Sequence, residues 1–131
     1  MENIIYEYGK SDDAWDYAEE KYGITVRRDI KSFLKKNGGK YPIKDEITVK
    51  GETYEIRVFL SLDERNKEYY IGKPLEFFLT NTNGKIIPIA IDSGDNYYCV
   101  NNETGKVYYW SAEEDKYYQI ANNLASFCKL L

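Results

Sequence analysis

The sequence predicts a single α+β domain spanning residues 1–131, with an N-terminal helix pair, a largely antiparallel sheet of about six strands and a C-terminal helix packed on the sheet. Three observations predict this class. Apolar residues recur at helical spacing near both ends of the chain and alternate with period two between them. The order of helices, then strands, then a helix is typical of α+β domains. A length of 131 residues is sufficient for one hydrophobic core.

Two helices are predicted before residue 40. In the segment SDDAWDYAEEKYG, Ser11 or Asp12 can cap the first helix and Gly23 can end it. In TVRRDIKSFLKKNGG, Thr25 is the predicted cap of the second helix and Gly38 its end. The apolar residues at helical spacing, which predict the buried faces, are Trp15, Ala18 and Tyr22 in the first helix and Ile30, Phe33 and Leu34 in the second.

From residue 46 the apolar pattern changes to period two. The segment EITVKGETYEIRVFL predicts a hairpin that turns near Lys50 and Gly51. The residues predicted to align on its two arms are Ile47 and Val49, then Tyr54, Ile56, Val58 and Leu60. The segment PLEFFLTNTNG then predicts a short helix, with Pro74 at an early position, where its missing N–H costs nothing, and Gly84 near the exit.

Three further strands are predicted at residues 86–91, 96–101 and 106–110, joined by the turn-forming segments DSGDN and NNETG. A fourth is predicted near residues 117–120. The chain closes with NNLASFCKLL, where an asparagine cap precedes apolar residues at helical spacing. This segment predicts the C-terminal helix. The residues of its apolar face are Leu124, Phe127, Cys128 and Leu131.

Composition argues against several kinds of catalytic and metal site. The chain has no histidine, which removes the serine and cysteine triads in their common forms. Two cysteines without histidine cannot supply the four ligands of a structural zinc site. Cys99 and Cys128 lie far apart and lack metal or redox spacing, so we expect both to be buried free thiols. We expect no cofactor and no metal.

Three local motifs resemble functional sites but have simpler explanations. Asp92 and Asp95 could form a carboxylate pair for acid–base catalysis, yet both lie in a predicted turn, where aspartate bonds its local backbone. A calcium loop starting at Asp92 would place Glu103 at its bidentate position, but Tyr97 occupies the sixth position, which requires glycine. The NGGK segment at residues 37–40 follows a predicted helix, so it cannot direct a helix N-terminus at a phosphate.

Charge is distributed unevenly along the chain. Residues 1–24 carry seven acids and two lysines, whereas residues 25–50 carry eight Lys or Arg and three acids. Such polarity can steer a charged partner, or it can hold two solvated helix faces together, and the sequence leaves both open. A pI near 5.0 argues against direct nucleic-acid binding. No apolar run approaches membrane-spanning length and no leader pattern opens the chain, so we expect a cytoplasmic location.

The 14 tyrosines include four doublets. They are Tyr69-Tyr70, Tyr97-Tyr98, Tyr108-Tyr109 and Tyr117-Tyr118. Neighbouring side chains in a strand point to opposite faces of the sheet, so a doublet there sends one ring to each face. Outward rings would suit a protein interface, because tyrosine supplies a large rigid area and a hydroxyl. Alternatively, helices cover both faces, or the exposed tyrosines pair across strands.

Two longer motifs carry a resemblance to a known family. One is the second predicted helix, which ends in Asn37, Gly38 and Gly39. The other is IPIAIDSGDNYYCVN, whose matching positions are Ile87, Pro88, Ile89, Ala90, Asp92, Gly94 and Asn96. With the segments that follow, these resemble the SUKH superfamily of yeast cell-wall-assembly regulators and bacterial toxin-immunity proteins, from roughly Trp15 to the C-terminus. Val26 stands where that family usually has proline.

The resemblance implies a mixed sheet with packed helices, no catalytic residues and, for bacterial members, binding and neutralisation of a cognate protein toxin, in many cases a nuclease. The residues that we predict to contact such a partner are Asp95, Asn96, Tyr97, Tyr108, Glu113 and Glu114. The motif residues expected to be structural are Asn37, Gly38, Gly39, Pro88, Asp92 and Gly94. The alternative function is a regulatory scaffold or adaptor, and an enzyme using Asp92 and Asp95 ranks last. The sequence leaves the oligomeric state open.

Overall fold

The computed structural model describes residues 13–131. In this part of the chain the helices are α1 (Asp13–Tyr22), α2 (Arg28–Asn37), α3 (Gly72–Asn81) and α4 (Leu124–Leu130). The strands are β1 (Glu46–Val49), β2 (Glu52–Glu55), β3 (Val58–Phe59), β4 (Ile86–Ile91), β5 (Tyr97–Asn101), β6 (Val107–Ser111) and β7 (Lys116–Ala121). The predicted α+β class is therefore confirmed. The predicted caps Ser11 and Asp12 lie outside the described residues.

The strands form two antiparallel sheets. Strands β1 and β2 pair as a hairpin, and β3 to β7 form a five-stranded sheet in which chain neighbours are also spatial neighbours. An isolated bridge between Ser61 and Tyr70 is parallel. The short turns of this meander bring the β4–β5 and β6–β7 connections to the same end of the sheet, since each strand reverses direction.

The hairpin prediction over residues 46–60 was wrong in its second arm. One continuous strand was expected there, but the chain changes sheets after β2. The amide of Ile56 still donates to Asp45 O (2.8 Å), whereas the amide of Arg57 donates to Ile91 O (2.9 Å) on β4. The alternating pattern continues through this exchange, because Ile56 and Val58 are both fully buried on either side of it. Periodicity therefore did not indicate that the pairing partner changes.

The predicted cap of the second helix was also wrong. Helix α2 begins at Arg28, and no side chain of its own segment caps it. Asn102, in the β5–β6 turn, acts instead. Its Oδ1 accepts from Arg27 N (2.9 Å) and its Nδ2 donates to Thr25 O (3.0 Å). The segment before α2 is thus held by a residue 75 positions away along the chain, and the Thr25 carbonyl, not its side chain, takes part.

The two faces of the five-stranded sheet are both covered, but to different extents. On what we call the core face, Tyr98 and Tyr109 are cross-strand neighbours. The rings of Phe33 (α2) and Tyr98 lie 6.2 and 6.0 Å from that of Phe127 (α4), so two helices cover this face. On the opposite face, which we call the α3 face, Phe78 packs with Ile86, Cys99 and Trp110.

The segment at the end of α2 fixes that helix against β3. Asn37 Nδ2 donates to Phe33 O (2.9 Å), and the amide of Gly39 donates to Phe59 O (2.9 Å). A Cβ placed on Gly38 would lie 2.6 Å from Leu34 O and 2.9 Å from Leu60 O. Two backbone carbonyls thus leave no room for a side chain at this position, which is a physical reason for glycine.

An ion pair joins the acidic α1 to the basic α2. Glu19 Oε2 accepts from the amide of Val26 (2.8 Å) and lies 3.1 Å from Lys31 Nζ. The hydrogen bond from Val26, followed by Lys31, lowers the pKa of Glu19. At this point the uneven charge of the sequence holds two helices together, which favours the second of the two interpretations.

The two cysteines differ in exposure. Cys99 is fully buried on the α3 face, as expected. Cys128 is exposed, so the expectation that both thiols are buried was wrong for this residue. Helix α4 turns Leu124 and Phe127 inward, and with 3.6 residues per turn Cys128 lies at the border of that face rather than at its centre.

Candidate partner-binding surface

The β4–β5 turn is organised by Asp92. Its Oδ1 accepts from the amides of Gly94 (2.9 Å) and Asn96 (2.8 Å), and its Oδ2 accepts from Tyr109 Oη (2.7 Å) and Asn96 Nδ2 (3.1 Å). Both carboxylate oxygens thus take local hydrogen bonds, and the residue is only 8% exposed. This arrangement favours a structural role for Asp92 over the acid–base pair with Asp95.

Two turns are joined into one surface by Asn96. Its Oδ1 accepts a 2.8 Å hydrogen bond from the amide of Ala112, in the β6–β7 turn. The turn that carries Asp95 therefore lies beside the turn that carries Glu113 and Glu114. Five of the six residues predicted to contact a partner are brought together in this way. The sixth, Tyr108, is placed separately.

Aromatic rings lie beside these turns on the α3 face. Trp110 has its ring centroid 5.6 Å from Phe77 and 5.1 Å from Phe78, and Tyr97 lies 5.4 Å from Phe78. Phe78 is buried, whereas Phe77 is 48% exposed and Tyr97 is half-buried. Trp110 is buried beneath Phe77 and Tyr97, with 8% of its surface exposed. We call the surface formed by Phe77, Tyr97, Asp95 and Glu113, together with the underlying Trp110, the aromatic–acidic face.

The acidic turn also positions one of these rings. Trp110 Nε1 donates to Asp115 Oδ1 (2.9 Å), which fixes the orientation of the indole. Tyr118 Oη donates to Glu114 Oε1 (2.6 Å), a bond that raises the pKa of Tyr118. Asp95 and Glu113 are exposed next to the rings. The surface thus combines the exposed Phe77 ring and the half-buried Tyr97 ring with negative charge.

Burial and charge keep the Tyr97 hydroxyl protonated. Desolvation of the half-buried ring, followed by the charge of Asp95, raises the pKa of Tyr97. At neutral pH the hydroxyl is therefore a hydrogen-bond donor as well as an acceptor. A ring with a polar edge at the rim of a partly apolar surface is typical of protein interfaces.

Two cavities flank Asp95 and Tyr97. The first, of about 330 Å³, is lined by Lys73, Pro74, Phe77, Asp95, Tyr97, Trp110 and Ala112. The second, of about 360 Å³, is polar and is lined by Arg57, Glu68, Tyr69, Ile91, Asp92, Ser93, Asp95 and Tyr97. A larger apolar cavity of about 520 Å³ lies between α1 and α3, and no residue predicted to contact a partner lines it. The first two therefore mark the candidate site.

Tyr108 lies on the same sheet face but outside this cluster. It is two residues before Trp110 on β6, and its ring contacts Tyr117 of β7 at 6.1 Å. Tyr117 remains 38% exposed. These two rings form a cross-strand pair, which was one of the alternatives left open by the sequence. The other alternative was that helices cover both faces of the sheet. Cross-strand tyrosine pairing and helix coverage each apply to part of this sheet.

Phe77 and Trp110 were not among the residues predicted to contact a partner. For Phe77 the sequence holds a usable pattern. Two adjacent phenylalanines on one helix point about 100° apart, so with Leu75, Phe78 and Leu79 buried Phe77 must turn outward. For Trp110 no such pattern exists, because its contact with Phe77 depends on how α3 packs on the sheet.

In the described range, 13–131, no three residues among Cys, Asp and Glu converge to form a metal-binding cluster. Over the same range, none of the helices is both long and apolar enough to cross a membrane.

Comparison with known proteins places the chain in a family context. The model of the SMI1 / KNR4 family (SUKH-1) matches residues 9–129. This match covers α2, the β4–β5 turn and the β6–β7 turn, so every residue of the aromatic–acidic face lies within it. No curated protein and no solved structure is significantly similar to the chain.

Proposed function

The chain belongs to the SMI1 / KNR4 family (SUKH-1), and we propose that it is an immunity protein that binds and neutralises a cognate protein toxin in the cytoplasm. The family includes immunity proteins and related regulators and is generally non-catalytic, so protein binding is the activity to be explained. The single observation that carries the proposal is the aromatic–acidic face. It combines aromatic rings with carboxylates, and aromatic side chains are enriched in protein interfaces.

The aromatic part of this surface supports tight binding. Interface energy is concentrated in a few large side chains, and Trp and Tyr are enriched among them. Tyr97 packs on Phe78 and Trp110, and Trp110 is itself held by the Asp115 hydrogen bond, so little conformational entropy is lost when a partner covers the half-buried Tyr97 ring. Phe77 adds an exposed apolar ring at the edge.

The acidic part suggests the chemistry of the partner. Asp95, Glu113, Glu114 and Asp115 are exposed on two joined turns. A carboxylate-rich rim attracts a basic surface and repels nucleic acid. A nuclease toxin, which must bind phosphate, has such a basic surface in its substrate groove. Covering that groove would block the toxin without chemistry by the immunity protein.

The local bonding of Asp92 supports a non-catalytic function. Catalysis by carboxylates requires a group free to exchange protons with a substrate within hydrogen-bond reach. Asp92 is instead held by two backbone amides and the Tyr109 hydroxyl, and Asp95 is on the outer side of the turn. Asp92 thus stabilises the turn, and Asp95 is displayed on its surface.

The experiment takes any toxin domain encoded by a neighbouring gene, titrates its inactivated form with the chain by calorimetry, and uses its active form in a growth assay. We expect one-to-one binding in the nanomolar range, typical of tight natural complexes, and survival of cells that co-express the chain. If the toxin domain neither binds nor is neutralised, the immunity function is wrong, and a regulatory scaffold of the same family becomes the better explanation.

A further inference from the structure

The cavity between α3 and the two turns has the features of a site for a single cationic side chain. Its volume of about 330 Å³ is at the lower end of the range for small-molecule pockets. Its walls include Pro74, Phe77 and Trp110, and Asp95 stands at its border with the polar cavity. Apolar walls that end in a carboxylate fit a long aliphatic stem that ends in a positive charge.

We propose that this cavity binds an arginine side chain of the protein partner, with the guanidinium on Asp95 and the stem against Phe77 and Trp110. The inference rests on the proposed function in assigning that arginine to a toxin. The site itself requires only the cavity and its charge. Arginine suits it better than lysine, because a planar guanidinium both pairs with carboxylate in two hydrogen bonds and stacks on aromatic rings.

The charges around the cavity favour a cation. Asp95 lines it, and the exposed Glu113 lies on the turn beside it, with Glu114 and Asp115 close by in sequence. Lys73 also lines the cavity and opposes cation binding. No ion pair joins Lys73 to Asp95 within the described residues, so the carboxylate remains available. Removing Lys73 should therefore strengthen cation binding. If the cavity bound an anion, the same change would weaken binding.

The backbone at Asp95 permits a substitution that removes the charge without disturbing the turn. Asp95 has φ 65°, in the left-handed region that asparagine also adopts readily. Asp95→Asn thus removes the charge and keeps the turn. Glu103→Gln is the matched control, because Glu103 is an exposed acid in the β5–β6 turn, at the other end of the sheet, and its replacement changes the net charge equally.

The test uses the intact chain and two small probes, N-acetyl-arginine methylamide and its neutral isostere N-acetyl-citrulline methylamide. The indole N–H signals of Trp15 and Trp110 are followed by NMR during titration, and Trp110→Phe assigns them. We expect a saturable shift of the Trp110 signal with the arginine probe, and binding of the citrulline probe weaker by about threefold or more. We expect the Trp15 signal, from a fully buried ring, to stay in place.

The variants complete the test. Asp95→Asn should weaken arginine binding about two- to fivefold, Lys73→Gln should tighten it, and Glu103→Gln should leave it unchanged. Equal binding of both probes, no saturable shift, or an unchanged affinity in Asp95→Asn would overturn the arginine site. If any one of these three results occurs while the toxin domain still binds, only the arginine site is wrong. If the probe binds and the toxin does not, only the proposed function is wrong.

Discussion

The hydroxyl of Tyr109 donates a 2.7 Å hydrogen bond to Oδ2 of Asp92. A ring on the core face of β6 thus holds the turn that displays Asp95 and Tyr97. The neighbouring Tyr98 is bound in a similar way, because its hydroxyl donates to Glu55 O (2.7 Å) from a fully buried ring. In the central two doublets, one ring therefore stabilises the fold and the other lies on the α3 face.

Replacing Tyr109 by phenylalanine should destabilise the protein by about 1 kcal/mol. The ring and its packing on Tyr54 and Tyr98 remain, but Asp92 loses one hydrogen bond in a partly buried position. The measurement is urea unfolding followed by circular dichroism. Tyr118→Phe is the control, since that hydroxyl bonds the exposed Glu114 from an exposed ring, and water can replace the bond, so its loss should cost clearly less. Equal effects of the two changes would contradict a special role for the Tyr109 bond.

Gly38→Ala should lower the free energy of unfolding by about 2 kcal/mol or more. The new methyl group would overlap the carbonyl oxygens of Leu34 and Leu60, which belong to backbone and cannot rotate away. Gly23→Ala is the matched control. Gly23 has φ +65° but open space around it, so only backbone strain of about 1 kcal/mol is expected. A Gly38→Ala protein as stable as Gly23→Ala, in the same urea titration, would show that α2 and β3 separate easily.

The Glu19 carboxylate should make stability depend on acid pH. Its pKa in the folded protein is lowered from 4.5, so its contribution is complete above that value and disappears as pH falls through the folded pKa. Glu19→Gln retains an acceptor for Val26 but loses the ion pair with Lys31. We expect the variant to be less stable at pH 7 by about 0.5 kcal/mol.

That difference between wild type and Glu19→Gln should shrink to zero below the folded pKa of Glu19, as measured by urea unfolding at a series of pH values. Glu20→Gln, which alters an exposed neighbour, should run parallel to wild type. A constant offset at every pH would show that the ion pair is not the cause.

The two thiols should react at very different rates with an aromatic disulfide reagent. Cys128 is exposed, although partial burial raises its pKa and slows its reaction. Burial of Cys99 raises its pKa well above 9.0 and also blocks access. We expect one thiol to be titrated in the native protein and two in denaturant, and none in native Cys128→Ser. Rapid reaction of both native thiols would contradict the packing of α3 on the sheet.

Local sequence patterns were sufficient for most of the fold. The amphipathic faces, Gly23 and the Asn123 cap mark elements by contacts within a few residues, and the cap bond from Ser126 N to Asn123 Oδ1 is present. The errors in the cap of α2 and in the strand pairing occur where a distant segment decides. Asn102 replaces Thr25 at the start of α2, and Ile91 takes over the pairing at Arg57.

The candidate site was predictable in part for the same reason. Asp95, Asn96 and Tyr97 could be predicted as neighbours because they belong to one turn motif. That they lie beside Glu113 depends on the bond between Asn96 and Ala112, and the exposed Phe77 approaches Trp110 only through helix packing. These contacts cross from helix to sheet or from turn to turn, so no spacing in the sequence reports them.

The aromatic–acidic face is tested most directly by comparing Phe77→Ala with Tyr41→Ala in calorimetric titrations against the inactivated toxin domain. Both side chains are exposed aromatics, 48% and 65%, but only Phe77 belongs to the aromatic–acidic face. Phe77→Ala should weaken binding by about 2 kcal/mol, or roughly thirtyfold, while Tyr41→Ala should bind like wild type and both variants should unfold at similar urea concentrations. Unchanged binding by Phe77→Ala would contradict the proposed interface, and a loss in Tyr41→Ala would place the interface elsewhere.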